Sequence, residues 1–99
     1  MSVYIVIKRT LKIVEPRKLF PLLEKLRAAA GEQPGYISGV TLRSQSDPED
    51  YLVISQWEKA ENWQNWMHSP NRRAIQGEID SLIGEKTFYE IYDPVDHHQ

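Results

Sequence analysis

Apolar and polar residues alternate from the third position onward. Val3, Ile5, Ile7, Leu11 and Ile13 fall on one face at period two, and Tyr4, Val6, Lys8, Thr10 and Lys12 on the other. The pattern predicts a strand over Val3 to Ile13 whose apolar row is broken only by Arg9, a charge on the face that otherwise reads as buried. The period then changes. Leu19, Leu22, Leu23 and Leu26 recur at helical spacing, and Ala28-Ala29-Ala30 carries the helix to Gly31. Pro21 removes a hydrogen-bond donor from this stretch. The reading is therefore an irregular turn after Glu15-Pro16, then a regular helix from near Phe20 to about Ala30.

Pro34-Gly35 marks a turn, and Tyr36 to Ser44 reads as a second strand. The polar connection Ser46-Asp47-Pro48-Glu49-Asp50 makes a hairpin with a third strand, Tyr51 to Trp57. A helix follows from about Lys59 to His68. Ser69 caps a further helix with Pro70 at its first position, where a missing N–H costs nothing. Ala74, Ile75, Ile79, Leu82 and Ile83 are its apolar positions, Gly84 ends it, and Glu85 to Tyr92 is the last strand. Residues 1–94 read as a single domain, and 95–99 as a flexible C-terminal tail.

The order β-α-β-β-α-α-β predicts an α+β, ferredoxin-like fold: a four-stranded antiparallel sheet with helices on one face. Several strands are apolar on both sides, as with Val6 against Ile5 and Ile7, Ile37 against Val40 and Leu42, and Val53 against Leu52 and Ile54. The helices can cover one face only. The other calls for a partner, and the simplest is the same face of a second copy, so a homodimer is expected.

Composition narrows the function classes. At 99 residues, with 40% hydrophobic and 26% charged positions, the chain is an ordinary globular domain with room for one core. Its net charge of −2 and scattered basic residues give no concentrated basic face, so nucleic acid is not an expected partner. The absence of cysteine excludes disulfides, thiolate nucleophiles and cysteine-based metal sites. No apolar run reaches the roughly 20 residues of a membrane span, and Met1-Ser2-Val3 has no signal-peptide charge pattern, so the expected location is cytoplasmic.

All three tryptophans lie in Trp57-Glu58-Lys59-Ala60-Glu61-Asn62-Trp63-Gln64-Asn65-Trp66, at the corner between the third strand and the next helix. This segment resembles the antibiotic biosynthesis monooxygenase family of dimeric α+β barrels, whose pattern runs tryptophan-acid-x-x-acid-small-aromatic-x-x-tryptophan. Pro34-Gly35-Tyr36, His68-Ser69-Pro70 and Ile83-Gly84 fit the same pattern, and the resemblance spans about the whole chain. It implies a dimeric barrel and speaks less clearly of reaction, because one fold hosts many activities. Lys59 departs from the family's capping serine, and Asn62 from its small residue. In some cofactor-free oxygenases of the family an asparagine one turn before the tryptophan is part of the active site, as Asn62 is to Trp66. Their tyrosine six residues after the tryptophan is replaced here by Arg72. The haem-degrading branch uses a histidine ten residues after the tryptophan, where this chain has Gln76, and an asparagine where Ile7 and Lys8 stand. Haem is therefore disfavoured, and no cofactor is expected.

Each candidate has a structural and a functional reading. Trp66 and Trp63 either pack in the core or wall a pocket for a flat aromatic ligand, Trp63 more naturally packing against the sheet or a partner. Asn62, one turn before Trp66, is either an exposed helix amide or a donor to a substrate oxygen; Asn65 and Asn71 are weaker cases. His68 either complements the end of a helix dipole or acts as general base. Arg9 and Arg72 either form salt bridges or bind a carboxylate or phenolate. The five tyrosines read mostly as strand packing. His97 and His98 with Asp96 resemble a metal-binding tract with too few donors for a closed site. The leading expectation is a small cofactor-independent monooxygenase acting on a phenol, quinol or anthrone-like substrate, with Asn62, Trp66, His68 and Arg72 catalytic and Arg9, Trp63 and Trp66 binding. A non-catalytic dimer that binds hydrophobic ligands or serves in stress is the rival, and haem degradation is third.

Overall fold

The alternating N-terminal segment folds as β1 (Val3–Thr10), an inner strand of a four-stranded antiparallel sheet of order β2-β3-β1-β4. Its neighbours are β3 (Asp50–Trp57) on one side and β4 (Phe88–Tyr92) on the other, with β2 (Tyr36–Arg43) at the far edge. The computed structural model describes residues 2–11, 16–83 and 87–95. Ile13, Gly84 and Glu85, for which strand and cap roles were expected, lie outside the described residues, as does the His97-His98 tract, for which no metal role was expected. Among the described residues the helices are α1 (Pro16–Gly31), α2 (Ala60–Met67) and α3 (Pro70–Ile83). The ferredoxin-like α+β arrangement is as expected, and the sheet of the single chain is open rather than closed into a barrel.

Alternation decides the faces. Val3, Ile5, Arg9 and Leu11 are buried beneath the helices, as are Ser55 and Trp57 of β3. The opposite face pairs Val6 with Ile54 and Ile54 with Val40, then Lys8 with Leu52 and Leu52 with Leu42. Val40, Leu42, Phe88 and Tyr92 are exposed.

The structure corrects the helix start around Pro21. There is no irregular turn: α1 is continuous from Pro16, and Pro21 sits inside it. Proline there leaves the carbonyl of Arg17 without its usual partner, and both residues lie on the exposed side, where water can replace the lost bond. A second correction concerns β2. A bulge between Tyr36 and Ser38 leaves Ile37 exposed and shifts the register, so that Tyr36 pairs with Trp57 while Gly39 pairs with Ser55. Tyr36 and Gly39 consequently share the helix-bearing face, which strict alternation forbids.

The helix starts follow their local chemistry. Lys59 at the N-cap of α2 makes no side-chain cap bond. Ser69 does cap α3, its Oγ accepting the Arg72 N–H at 3.2 Å. The hairpin is held by Ser44 Oγ, which accepts the N–H of Ser46 at 3.2 Å and of Asp47 at 3.1 Å.

Candidate functional site

A cavity of ≈ 320 Å³ opens between α1 and the helix-bearing face of the sheet. Trp57, Trp63, Trp66, Tyr36 and Tyr89 bring aromatic rings to its walls, and Phe20, Leu23 and Leu26 line it from α1. Each ring is placed by a separate device. The β2 bulge turns Tyr36 inward, edge-on to Trp57 with centroids 5.3 Å apart and planes at 90°. Gly39 makes room for the Tyr36 ring, since an added Cβ would lie 2.5 Å from its hydroxyl. Trp57 satisfies its buried indole N–H on Ser55 Oγ at 3.1 Å. Trp63 and Trp66, three apart on α2, are both buried, and Trp63 packs at 5.9 Å against Tyr89 of β4.

The polar part of the wall is built from two buried arginines. Arg72 donates through Nη1 to the carbonyl of Met67 at 3.1 Å, taking up an otherwise orphaned acceptor at the C-terminus of α2. Its Nη2 donates to the Tyr89 hydroxyl, and the guanidinium lies 5.1 Å from the centroid of that ring. Arg9 donates through Nη2 to Gln76 Oε1 at 3.2 Å, while its buried Nε has no partner among the described residues. Gln76 is itself oriented, its Nε2 donating to Asp80 Oδ1 at 2.8 Å and to Thr87 Oγ1 at 3.4 Å. Both guanidinium groups are thus bonded to neutral acceptors. Burial, the largest influence, pushes Arg9 below the ordinary arginine value, and the like charge of Arg72 pushes the same way against Tyr89 and Asp80.

The family profile of antibiotic biosynthesis monooxygenases matches residues 5–78. The chain belongs to the antibiotic biosynthesis monooxygenase family. No curated protein matches the sequence significantly. Among solved structures, the chain is similar to SnoaB, a cofactor-independent oxygenase from Streptomyces nogalater, at 16% identity and TM-score 0.83, covering 97% of this chain and 95% of that one. It is similar to Rv0793 from Mycobacterium tuberculosis at 12% identity and TM-score 0.82, with all of both chains covered. A conserved protein from Methanosarcina mazei aligns at 16% identity and TM-score 0.82 over 93% of this chain and 91% of that one. At these identities the solved structures establish the shared fold.

Within this family member the structure brings Arg9, Trp63, Trp66 and Arg72 to one cavity. It does not bring Asn62 or His68 there. Asn62 is half-buried against the turn before β2, where a Cβ added at Gly35 would lie 2.3 Å from its Cγ. His68 is exposed at the C-cap of α2. Tyr36, Tyr89 and Gln76 were not read as site residues from sequence. Gly39, a glycine inside the strand three residues after Tyr36, hints at the bulge that turns Tyr36, whereas nothing local marks Tyr89. None of the described helices is long and apolar enough to cross a membrane, and no metal-ligand cluster occurs among the described residues.

Proposed function

We propose that this family member is a cofactor-independent monooxygenase that oxidises a flat, electron-rich phenol, quinol or anthrone-like molecule in the aromatic cavity. The observation that carries the reading is the juxtaposition of indole and phenol walls with two buried guanidinium groups that have no carboxylate bonded to them among the described residues. Trp66 and Trp63 hold the ring system flat, and Arg72 and Arg9 favour its deprotonated form. The anion transfers electrons to dioxygen and a hydroperoxide forms at carbon. Loss of water then leaves a carbonyl, so that a ring methylene and dioxygen become a ketone and one molecule of water. One oxygen atom enters the product and the other leaves as water. The substrate supplies both electron pairs. The arginines raise the acidity of the substrate so that its proton passes to solvent water rather than to a dedicated side-chain base, since His68 lies at the surface.

The reading includes a homodimer joined through the open sheet face, where Val40, Leu42, Phe88 and Tyr92 are exposed. Back-to-back packing of two such sheets would close the barrel that the single chain leaves open.

Dioxygen uptake by metal-free protein offered anthrones, quinols and polyphenols tests the proposal. Uptake above autoxidation that falls in Trp66→Phe supports it. Binding of these compounds with no uptake favours the rival ligand-binding role.

A further inference from the structure

Arg9 has features that a merely structural arginine does not need. It interrupts the apolar row of an inner strand, is only 6% exposed and lines the cavity, and its buried Nε meets no acceptor among the described residues. Its Nη2 donates to a neutral amide that is held in place by Asp80 and Thr87, and its other polar neighbour is the Tyr89 phenol, also neutral. Asp80 thus orients Gln76 without itself bonding to Arg9, and supports the guanidinium charge only from a distance. Arg72 places a second cation on the same wall, its guanidinium bonded to a backbone carbonyl and a phenol hydroxyl. Two buried cations facing an apolar cavity are costly unless the ligand brings the missing negative charge. Burial and Arg72 both work against the charge on Arg9, so an anion would relieve both.

We propose that the cavity is built for an aromatic acid: a flat ring system stacked on Trp63 and Trp66 and bearing a carboxylate that pairs with the Arg9 guanidinium on the cavity wall, with Arg72 supplying the second charge. The assignment rests on the cavity being the substrate site and adds the class of substrate it selects. A carboxylate suits the position because it is ionised at neutral pH and its planar oxygens match guanidinium donors. Glu24 also lines the cavity but is exposed on α1, so it does not neutralise the buried arginines.

The test is isothermal titration calorimetry under nitrogen with 2-naphthoate and its neutral analogue 2-naphthamide. The expected result is naphthoate binding at least tenfold more tightly, with the preference abolished in Arg9→Met and partly kept in Arg9→Lys. Equal affinity for acid and amide, or binding of neither, overturns the proposal, and both outcomes are read on the parent protein even if Arg9→Met fails to fold. The result is separable from oxygenation. Acid-selective binding without dioxygen uptake on any substrate keeps the anion seat and removes the oxygenase reading. Uptake on neutral quinols with no acid preference does the reverse.

Discussion

Arg72 and Tyr89, 17 residues apart on α3 and β4, form one unit: the guanidinium donates to the phenol hydroxyl and lies 5.1 Å from the ring centroid. With the Arg72–Met67 bond, this contact ties the end of α2 and the start of α3 to an edge strand. Tyr89→Phe removes the bond from a buried charged donor and the hydroxyl's own donation to Gln76 Oε1 at 3.4 Å, and is expected to lower stability by about 1–2 kcal/mol. Arg72→Met also strands the Met67 carbonyl and is expected to cost about 2–3 kcal/mol. In a double-mutant cycle by urea denaturation the two changes should couple by about 0.5–2 kcal/mol. Strict additivity would show that the pair does not act as a unit.

Trp66 is 5% exposed and contributes to both core and cavity. Trp66→Ala is expected to destabilise by about 3–5 kcal/mol, so its activity says little about chemistry. Trp66→Phe retains most of the packing and should fold. It is expected to lose at least tenfold in dioxygen uptake, and unchanged turnover would remove Trp66 from the proposed site.

Gly35 has φ +85°, and a Cβ there would come within 2.3 Å of Asn62 Cγ. Its carbonyl also accepts the Glu58 N–H at 2.7 Å, joining the turn before β2 to the end of β3. Gly35→Ala is expected to cost on the order of 2–4 kcal/mol by denaturant midpoint. Asn62→Ala should recover only part of that loss, because the strained φ remains.

The lowered value of Arg9 fixes the sign of its pH effect. Between the folded value and the ordinary arginine value the unfolded chain holds more protons, so the contribution of Arg9 to stability rises with pH only in that strongly alkaline window. Below it the cost of burying the charge is constant. Arg9→Met should therefore be as stable as the parent or more stable by up to about 2 kcal/mol, with a difference flat from about pH 6 to 9. A difference that slopes across that range would assign the effect to another titrating group.

The open sheet face offers a separate check. Leu42→Lys places a charge among exposed apolar residues of β2, on the sheet face opposite the one that bears the helices. Sedimentation should show a dimeric parent and a monomeric variant of unchanged circular dichroism. A monomeric parent would dismiss the back-to-back dimer.

Element order, the buried row of β1, the Ser69 cap and the intrusion of Arg9 on the buried face were legible along the chain. All of these are set by local periodicity and short-range hydrogen bonding, which a linear sequence displays directly. The tryptophan-rich corner was legible too, and with it the family and two walls of the cavity. The uninterrupted α1 was not, because a proline's cost depends on whether water can reach the freed carbonyl. The inward turn of Tyr36 was not, because one bulged residue reverses the alternation on which face assignment rests. Asn62 and His68 stand near Trp66 in the chain yet point their chemistry elsewhere, since sequence spacing on a helix says nothing about what lies opposite it. Arg9 meets Gln76 across 67 residues, and Arg72 of α3 meets Tyr89 of β4 across 17. Only packing α3 onto the sheet creates those contacts, and with them the charged wall on which the proposed activity depends.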